Sequence, residues 1–380
     1  KDHKELNYYL LNNYEVIKRS ALLGEITKSS FNICIAGTHG KTTISTMVAH
    51  ILRHSEFGCN AFLGGISVNY NTNFWISNNN VSVVEADEYD RSFLQLSPDV
   101  ALISAMDADH LDIYGTKENM ENAFIEFSER LKPGGLLLTN YNLSVKEFST
   151  PNRIRYSLQN NLADAFAENI KSINGAYQFN VVTKSHKIEN VQLNIGGMYN
   201  VENAVAAITI AGHLDIDPEK IKNAVNDFKG VKRRFEYIIK TDKIVFVDDY
   251  AHHPEELKAL ITSAKNLFSK MKITIVFQPH LYSRTRDFAN EFAEALNLAT
   301  DVYLLPVYPA RELPIENVTS KMIEERMDEK KAVCCNKNEL LQIIKKRKLY
   351  GDDLGLLITA GAGDIDQLVQ PIKEILLNNV

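Results

Sequence analysis

No stretch of this 380-residue chain approaches the roughly 20 apolar residues that a membrane-crossing helix needs, and its first residues are polar and charged rather than signal-like. A cytoplasmic protein without a membrane partner is expected. Cysteine is scarce: Cys34, Cys59, Cys334 and Cys335 form no C-x-x-C pair and have no histidine at zinc-finger spacing. That excludes a disulfide scaffold and leaves reduced, partly buried thiols. Basic runs are missing as well. With 42 Lys plus Arg against 48 Asp plus Glu, the formal charge of -6 gives no electrostatic case for a nucleic-acid partner. Internal repeats and low-complexity stretches are absent, and the length suits two or three domains. The first residue, Lys1, is not an initiator Met, and a trimmed N-terminus is expected.

What is present is most informative at Ile35-Ala36-Gly37-Thr38-His39-Gly40-Lys41-Thr42. The apolar run from Phe31 to Ala36 predicts a buried strand. Ile44, Met47, Val48, Ile51 and Leu52 fall on one face of a helix. Glycines between a strand and a helix let backbone N–H groups and the positive helix end face an anion. Gly37, Thr38, His39, Gly40, Lys41, Thr42 and Thr43 are therefore expected to cradle the phosphates of a nucleotide triphosphate, with Lys41 on the outer phosphates and Thr42 on a magnesium ion. The usual first glycine of such a loop would stand at position 35, which is Ile35 here, so this is a shortened variant.

From residue 31 onward, apolar runs at Val81 to Val84, Val100 to Ala105 and Leu136 to Thr139 alternate with amphipathic stretches, including a helix from Lys117 to Leu131. This is the pattern of a parallel sheet with crossover helices. Between Arg153 and Ile195 the pattern becomes strict alternation, as in Tyr177-Phe179-Val181, which predicts an antiparallel flank. Helices are expected over Asn200 to Leu214 and Pro218 to Phe228, the second capped by Asp217. A second βα series starts at Lys243, with strands at 244–247, 273–277, 302–305, 332–335 and 356–359. The expected class is α/β: a P-loop-type central domain with a mostly parallel sheet and a small antiparallel flank, then a Rossmann-like C-terminal domain. The join is placed at Lys229 to Lys232, which is also the expected hinge.

Four further segments fall at carboxyl ends of predicted strands, the edge where open α/β sheets bind ligands. In Glu85-Ala86-Asp87-Glu88-Tyr89-Asp90, Glu85 directly ends its strand and is the candidate to share the metal with Thr42. His110, in Asp109-His110-Leu111-Asp112-Ile113-Tyr114, is the candidate for a second cation. Adjacent His252 and His253 in an extended loop point apart, which argues against zinc. Arg284, in Gln278 to Arg286, can hold a carboxylate or phosphate through paired hydrogen bonds.

Taken in order, G-T-H-G-K-T, E-A-D-E-Y-D, H-L-D-I-Y, G-M-Y-N-V-E-N-A, K-R-R-F-E, D-D-Y-A-H-H-P, F-Q-P-H-L-Y-S-R-T and G-A-G-D-I resemble the Mur ligases over residues 30 to 365. Among these, the resemblance is strongest to the branch that adds L-alanine to UDP-N-acetylmuramate. It implies a three-domain cell-wall (peptidoglycan) enzyme in which ATP phosphorylates the lactyl carboxylate and the amine of L-alanine attacks the acyl phosphate. Carried over by position, it implies that Lys41 binds phosphate, Thr42 and Glu85 hold one magnesium, and His110 helps hold a second. Asn200 and Asn203 would face the adenine, and Arg234 would approach the phosphates from the domain junction. Asp249 and Tyr250 would complete the cleft. His253, His280 and Arg284 would meet the muramyl substrate or the amino acid.

The resemblance also has departures. Tyr199 and Leu281 replace a histidine and an arginine of the family pattern. The helix after the His110 motif lacks, over Met120 to Phe127, the lysine that sister ligases carbamylate. Residues 1–28 resemble only the end of the family's UDP-binding domain, so 29–230 and 231–380 are expected to be the central and C-terminal domains. This chain is then expected to bind ATP with magnesium and UDP-N-acetylmuramate poorly. Two other readings are a recycling ligase that attaches a tripeptide to the same nucleotide sugar, and a P-loop switch without ligase activity. The spread of polar groups over two domains favours a ligase cleft over a switch.

Overall fold

The computed structural model describes residues 3–107, 111–143, 148–184, 186–328, 332–351 and 354–377. The first two helices, Lys4–Leu11 and Arg19–Lys28, precede a ten-stranded sheet. Its strands are β1 (Phe31–Ala36), β2 (Asn60–Ser67), β3 (Thr72–Trp75), β4 (Val81–Glu85), β5 (Val100–Ile103), β6 (Leu136–Asn140), β7 (Arg153–Ser157), β8 (Ala165–Ile173), β9 (Ala176–Thr183) and β10 (Lys187–Leu193), in the order β10-β9-β8-β7-β6-β5-β1-β4-β2-β3.

β1 lies between β4 and β5, parallel to both. It reads as an apolar run interrupted only by the hydrogen-bonded Asn32, because helices cover both faces of the sheet and neither side meets water. On one face the helix Lys41–His54 buries Ile44, Met47, Val48, Ile51 and Leu52 and packs on the helix Met198–His213. On the other, Phe124 and Phe127 of the helix Lys117–Glu129 pack against Phe93. The expected flank is present: β8, β9 and β10 are antiparallel, and β7 joins β8 in parallel. Asp217 caps the helix Pro218–Asp227 through the N–H groups of Glu219 and Lys220, as expected. β2, β3 and the antiparallel edge strand of the second sheet are additions. Gly64-Gly65 interrupts the apolar pattern of β2, and β3 is four residues long.

The second sheet contains β11 (Glu236–Lys240), β12 (Val245–Asp249), β13 (Ile273–Phe277), β14 (Asp301–Leu304), β15 (Ala332–Cys334) and β16 (Leu356–Ala360), in the order β11-β12-β16-β13-β14-β15. Only β11 is antiparallel to its neighbour. β12, β13 and β16 have every residue buried, so polar residues that function must emerge at the strand ends. Cys34, Cys59 and Cys335 are buried free thiols and Cys334 is half-buried. Among the described residues no helix is long and apolar enough to cross a membrane.

The expected hinge, Lys229 to Lys232, is an added edge of the first sheet. Val68 N–H donates to Gly230 O at 3.0 Å, Lys232 N–H donates to Ile66 O at 2.9 Å, and Ser67 bridges Val231. One residue later the chain belongs to the second sheet: Tyr250 N–H donates to Arg233 O at 2.7 Å and Phe235 N–H to Asp249 Oδ2 at 2.7 Å. Arg233 and Phe235 both have positive φ, 60° and 48°, an unfavoured backbone for these residue types. The backbone thus doubles back at the junction and sends Arg234 into the space between the two sheets.

Candidate functional site: a phosphate cradle facing a second sheet

The strand-to-helix turn after β1 is held open by its neighbours. Thr38 N–H donates to Ala105 O at 3.0 Å, Asp107 N–H donates to Thr38 Oγ1 at 3.1 Å, and Ser104 Oγ donates to His39 O. Gly37 and Gly40 have φ of 126° and 83°. A Cβ at Gly37 would lie 2.8 Å from two backbone nitrogens, and one at Gly40 would lie 2.8 Å from Asn203 Oδ1, so both positions require glycine. His39 is an exposed member of the loop, with Nε2 3.5 Å from Asp107 Oδ2. The turn opens the 14-residue helix Lys41–His54, whose unpaired N–H groups and dipole attract an anion.

Lys41 and Thr42, the first two helical residues, each meet a carboxylate from the end of β4. Thr42 Oγ1 donates to Glu85 Oε1 at 2.8 Å, and Gly64 N–H donates to Glu85 Oε2 at 2.8 Å. Lys41 Nζ donates to Glu88 Oε1 and to Gly37 O, each at 2.8 Å. Glu88 is buried. Burial pushes its carboxyl above the usual range and the Lys41 ammonium draws it back.

A hydroxyl and a carboxylate 2.8 Å apart at a helix start are hard oxygen donors of the kind magnesium takes, together with water and phosphate oxygens. Among the described residues no three His, Cys, Asp or Glu side chains converge as a metal-binding set. His110 lies outside the described residues.

The loop faces a cavity of about 640 Å³. From the first unit it is lined by Thr38 to Thr43, Glu85, Asn140, Tyr156, Tyr199, Glu202 and Asn203; from the second by Arg234, Asp249 and Glu256. Asp249 is 6% exposed and accepts N–H bonds from Phe235 and Ala251 at 2.7 Å. Burial raises its pKa, opposed first by the Arg234 charge. The Arg234 guanidinium lies 5.3 Å from the Tyr250 ring centre and that of Arg233 lies 5.0 Å from it, so Tyr250 supports the arginines and is not part of the cavity lining. Asn200 also departs from expectation. It is 1% exposed, donates to Gly196 O at 2.6 Å and accepts from Asn203 Nδ2 at 3.1 Å, so it braces Asn203, and only Asn203 lines the cavity.

The remaining expected residues form a second polar group at the ends of β12 and β13. His252 and His253 do diverge. The His252 ring lies 5.9 Å from that of His280 and the His253 ring 5.1 Å from Phe288. Glu256 anchors this loop by accepting both histidine N–H groups, at 2.9 and 3.1 Å. The His280 ring stacks on Tyr308 at 5.8 Å. His280 Nδ1 and Arg284 Nη1 are buried without a hydrogen-bond partner among the described residues, the condition of groups arranged for a polar ligand. Burial lowers the pKa of both His252 and His280. Sequence reasoning missed Gly64, Glu88 and Glu256. Glu88 and Glu256 stood beside recognised residues, and Gly64-Gly65 was a visible doublet within an apolar run.

Comparison with known proteins agrees with this arrangement. Residues 35–211 match the Mur ligase middle domain and residues 233–363 match the family described as Mur ligase, glutamate ligase domain. The chain is 44% identical over 380 residues to UDP-N-acetylmuramate--L-alanine ligase of Parabacteroides distasonis, covering 100% of this chain and 81% of that one. It is 45% identical over 377 residues to the enzyme of the same name from Phocaeicola vulgatus, covering 98% and 81%. Among solved structures, UDP-N-acetylmuramate-alanine ligase MurC of Thermotoga maritima superposes with a TM-score of 0.82 at 27% identity, covering 98% of this chain and 82% of that one. A murein peptide ligase from Psychrobacter arcticus shares the fold at a TM-score of 0.64 and 21% identity, covering 100% and 84%. Two matched domains, a phosphate cradle on the first sheet and an arginine delivered from the second make one conclusion: the chain belongs to the Mur ligase family.

Proposed function

We propose that the chain is an ATP-dependent ligase that joins L-alanine to the lactyl carboxylate of UDP-N-acetylmuramate, releasing ADP and phosphate. The observation that carries this is the convergence of Lys41, Thr42 and Glu85 with Arg234 and Asp249 on one cavity. A nucleotide held between two sheets can be brought to a second substrate that only the closed cleft completes.

A carboxylate is a poor acyl donor, because an oxide leaving group is too basic. Transfer of the γ-phosphoryl group to the lactyl carboxylate makes a mixed anhydride, and attack by the uncharged amine of L-alanine then expels phosphate. Lys41 and Arg234 offset negative charge on the migrating phosphoryl group, the larger share of catalysis in such transfers. Magnesium, which Thr42 and Glu85 would hold, supplies further charge neutralisation on the phosphate oxygens. Asn203 sits where it would contact the nucleotide beside Gly40, and Tyr199, 41% exposed, offers an aromatic face to the base. Arg284 and His280 present buried nitrogens without a partner among the described residues, suited to an amino-acid carboxylate or a muramyl oxygen. In this scheme residues 29–230 bind the nucleotide, residues 231–380 supply the second half-site, and the substrates place the enzyme in the cytoplasm.

The test is ADP release with ATP, magnesium and UDP-N-acetylmuramate, with L-alanine or the tripeptide added in separate reactions. L-Alanine dependence supports the proposal. Tripeptide dependence moves the enzyme to recycling, and ADP release indifferent to both leaves a nucleotidase or switch.

A further inference from the structure

Glu88 has no part in the scheme above, yet it is among the most buried ionisable groups of the molecule, 1% exposed. Its Oε1 lies 2.8 Å from Lys41 Nζ, and its Oε2 is buried without a hydrogen-bond partner among the described residues. Its own backbone is pinned, since Glu88 O accepts from Tyr114 Oη at 2.5 Å and from Arg91 N–H at 3.0 Å. A carboxylate placed this deep with one oxygen unsatisfied is costly. Among the described residues its one close cation is the lysine of the phosphate cradle, which also donates to Gly37 O. The carboxylate adds a negative charge directly behind the anion site.

We infer that Glu88 is a positioning residue that holds the Lys41 ammonium in the cradle between turnovers and competes with bound ADP and phosphate for it, so that the products leave. This inference rests on the cradle binding nucleotide. Its sign is fixed by electrostatics whichever way Lys41 moves. If phosphate draws the lysine off Glu88, the broken ion pair weakens binding; if the pair persists, Glu88 repels the polyanion. In both cases the charge of Glu88 lowers affinity for anions. A carboxylate–ammonium contact of this length shifts equilibria by one to several factors of ten. Removing the charge should therefore tighten ADP binding by about tenfold or more.

Glu88→Gln keeps the shape and an acceptor oxygen for Lys41 and removes only the charge. The experiment is calorimetric binding of magnesium-ADP to the wild-type chain and to Glu88→Gln, with melting temperatures measured alongside and with KM for ATP and kcat compared. The expected result is ADP bound about tenfold or more tightly by the variant, with KM and kcat falling together as product is retained. Unchanged or weakened ADP binding by the folded variant overturns the inference, because a merely structural glutamate would lower stability without strengthening a ligand. Glu88→Asp, which keeps the charge but withdraws it from Lys41 by one methylene, is the second arm should Glu88→Gln not fold. Intermediate tightening supports the inference and unchanged affinity overturns it. Wild-type protein that fails to bind ADP overturns the nucleotide reading of the cradle itself, and this is distinguishable because it appears before any variant is compared.

Discussion

Replacing Gly64 by alanine should disable the enzyme while leaving it folded. The strand β2 approaches β4 so closely at this point that an alanine Cβ would sit 2.5 Å from Glu85 Cδ and Oε2. Carbon and oxygen atoms normally pack at about 3.5 Å or more, so the carboxylate must retreat by roughly 1 Å. It is the far end of a flexible side chain at an open cleft, and Gly64 itself is exposed. Relief is therefore cheap for the fold, less than about 1 kcal/mol, or a few degrees in Tm. The cost to function is larger. The retreat breaks the 2.8 Å bonds from Gly64 N–H and Thr42 Oγ1 that hold Glu85 where the proposed magnesium ion would meet it. A misplacement of about 1 Å in a reacting array costs on the order of 100-fold in rate, or about 2.7 kcal/mol of barrier. The assay is ADP release at saturating ATP, UDP-N-acetylmuramate and L-alanine across a magnesium range, with thermal melts. A roughly 100-fold loss of kcat/KM with a raised magnesium requirement is expected. Wild-type rate and magnesium dependence in folded Gly64→Ala would refute the assignment of Glu85 as the metal carboxylate.

Lys41→Ala should abolish ADP release and, by leaving Glu88 buried without its ammonium, lower stability by about 3 kcal/mol, read from urea melts with and without the variant. Asn200 and Asn203 should separate: Asn200→Ala leaves Gly196 O and Asn203 Nδ2 without their partner and should cost about 2 kcal/mol of stability, whereas Asn203→Ala should mainly raise KM for ATP; equal effects on both readouts would contradict the geometry. Asp248, buried beside Arg233 and Thr359, has its carboxyl raised by burial to about 7. Because its folded pKa lies above its unfolded value, its contribution is full in acid and is lost as pH rises towards 7. The Tm of Asp248→Asn relative to wild type should therefore climb between pH 5 and pH 8, and a falling difference would reverse the sign. His50, enclosed in the helix behind the cradle with Nε2 2.9 Å from Ala224 O and Nδ1 2.9 Å from Tyr70 Oη, is lowered by burial to about 4. A depressed histidine stabilises above its unfolded pKa and loses that contribution as pH falls from about 6.5 to 4. His50→Gln should flatten this acid limb in pH-dependent melts.

The parts of the molecule that could be read from the chain are those where one residue type has one physical use. The run Phe31 to Ala36 could only be a strand buried on both faces. Asp217-Pro218 could only open a helix, and Gly37 and Gly40 announced the turn between. The less legible parts depend on what lies across space. Gly64-Gly65 looks like a break in an apolar run until β4 is seen beside it, with Glu85 against one glycine. Asn200 and Asn203 share a helix and a family motif, but only the packing of Gly196 decides that one braces and the other faces the cavity. Tyr250 and Asp249 are neighbours whose side chains alternate across an extended backbone, so only one can line the cleft. In Glu85 to Asp90 the sequence offered four acids at one strand end and no means of telling which is exposed to a metal and which is buried against a lysine.

The junction also limits how the two half-sites can move. Residues 230 and 232 are hydrogen-bonded to β2, and β2 carries the Gly64 N–H that holds Glu85. Arg233 is bound to the other sheet through Tyr250 N–H, through Gly361 O and through Asp248, 3.5 Å from its Nε. Between these two sets the described structure leaves one peptide link, Lys232 to Arg233, crossed only by the bond from Arg234 N–H to Val231 O at 3.1 Å. A change in angle between the sheets would be taken up there and would also strain the bonds from Tyr237 Oη and Lys240 Nζ to Gly175 O, at 2.7 and 3.1 Å. Arg234 lies one residue past Arg233, so its Cα is within about 7 Å of the pivot. A rotation of about 20° then carries that Cα roughly 2–3 Å, a displacement the long arginine side chain can absorb. In the proposed reaction Lys41 and Arg234 would thus stay on the same phosphates while His280 and Arg284 swing with their sheet. The proposed nucleotide charge would then sit on a short lever, and the groups proposed to admit a second substrate on a longer one.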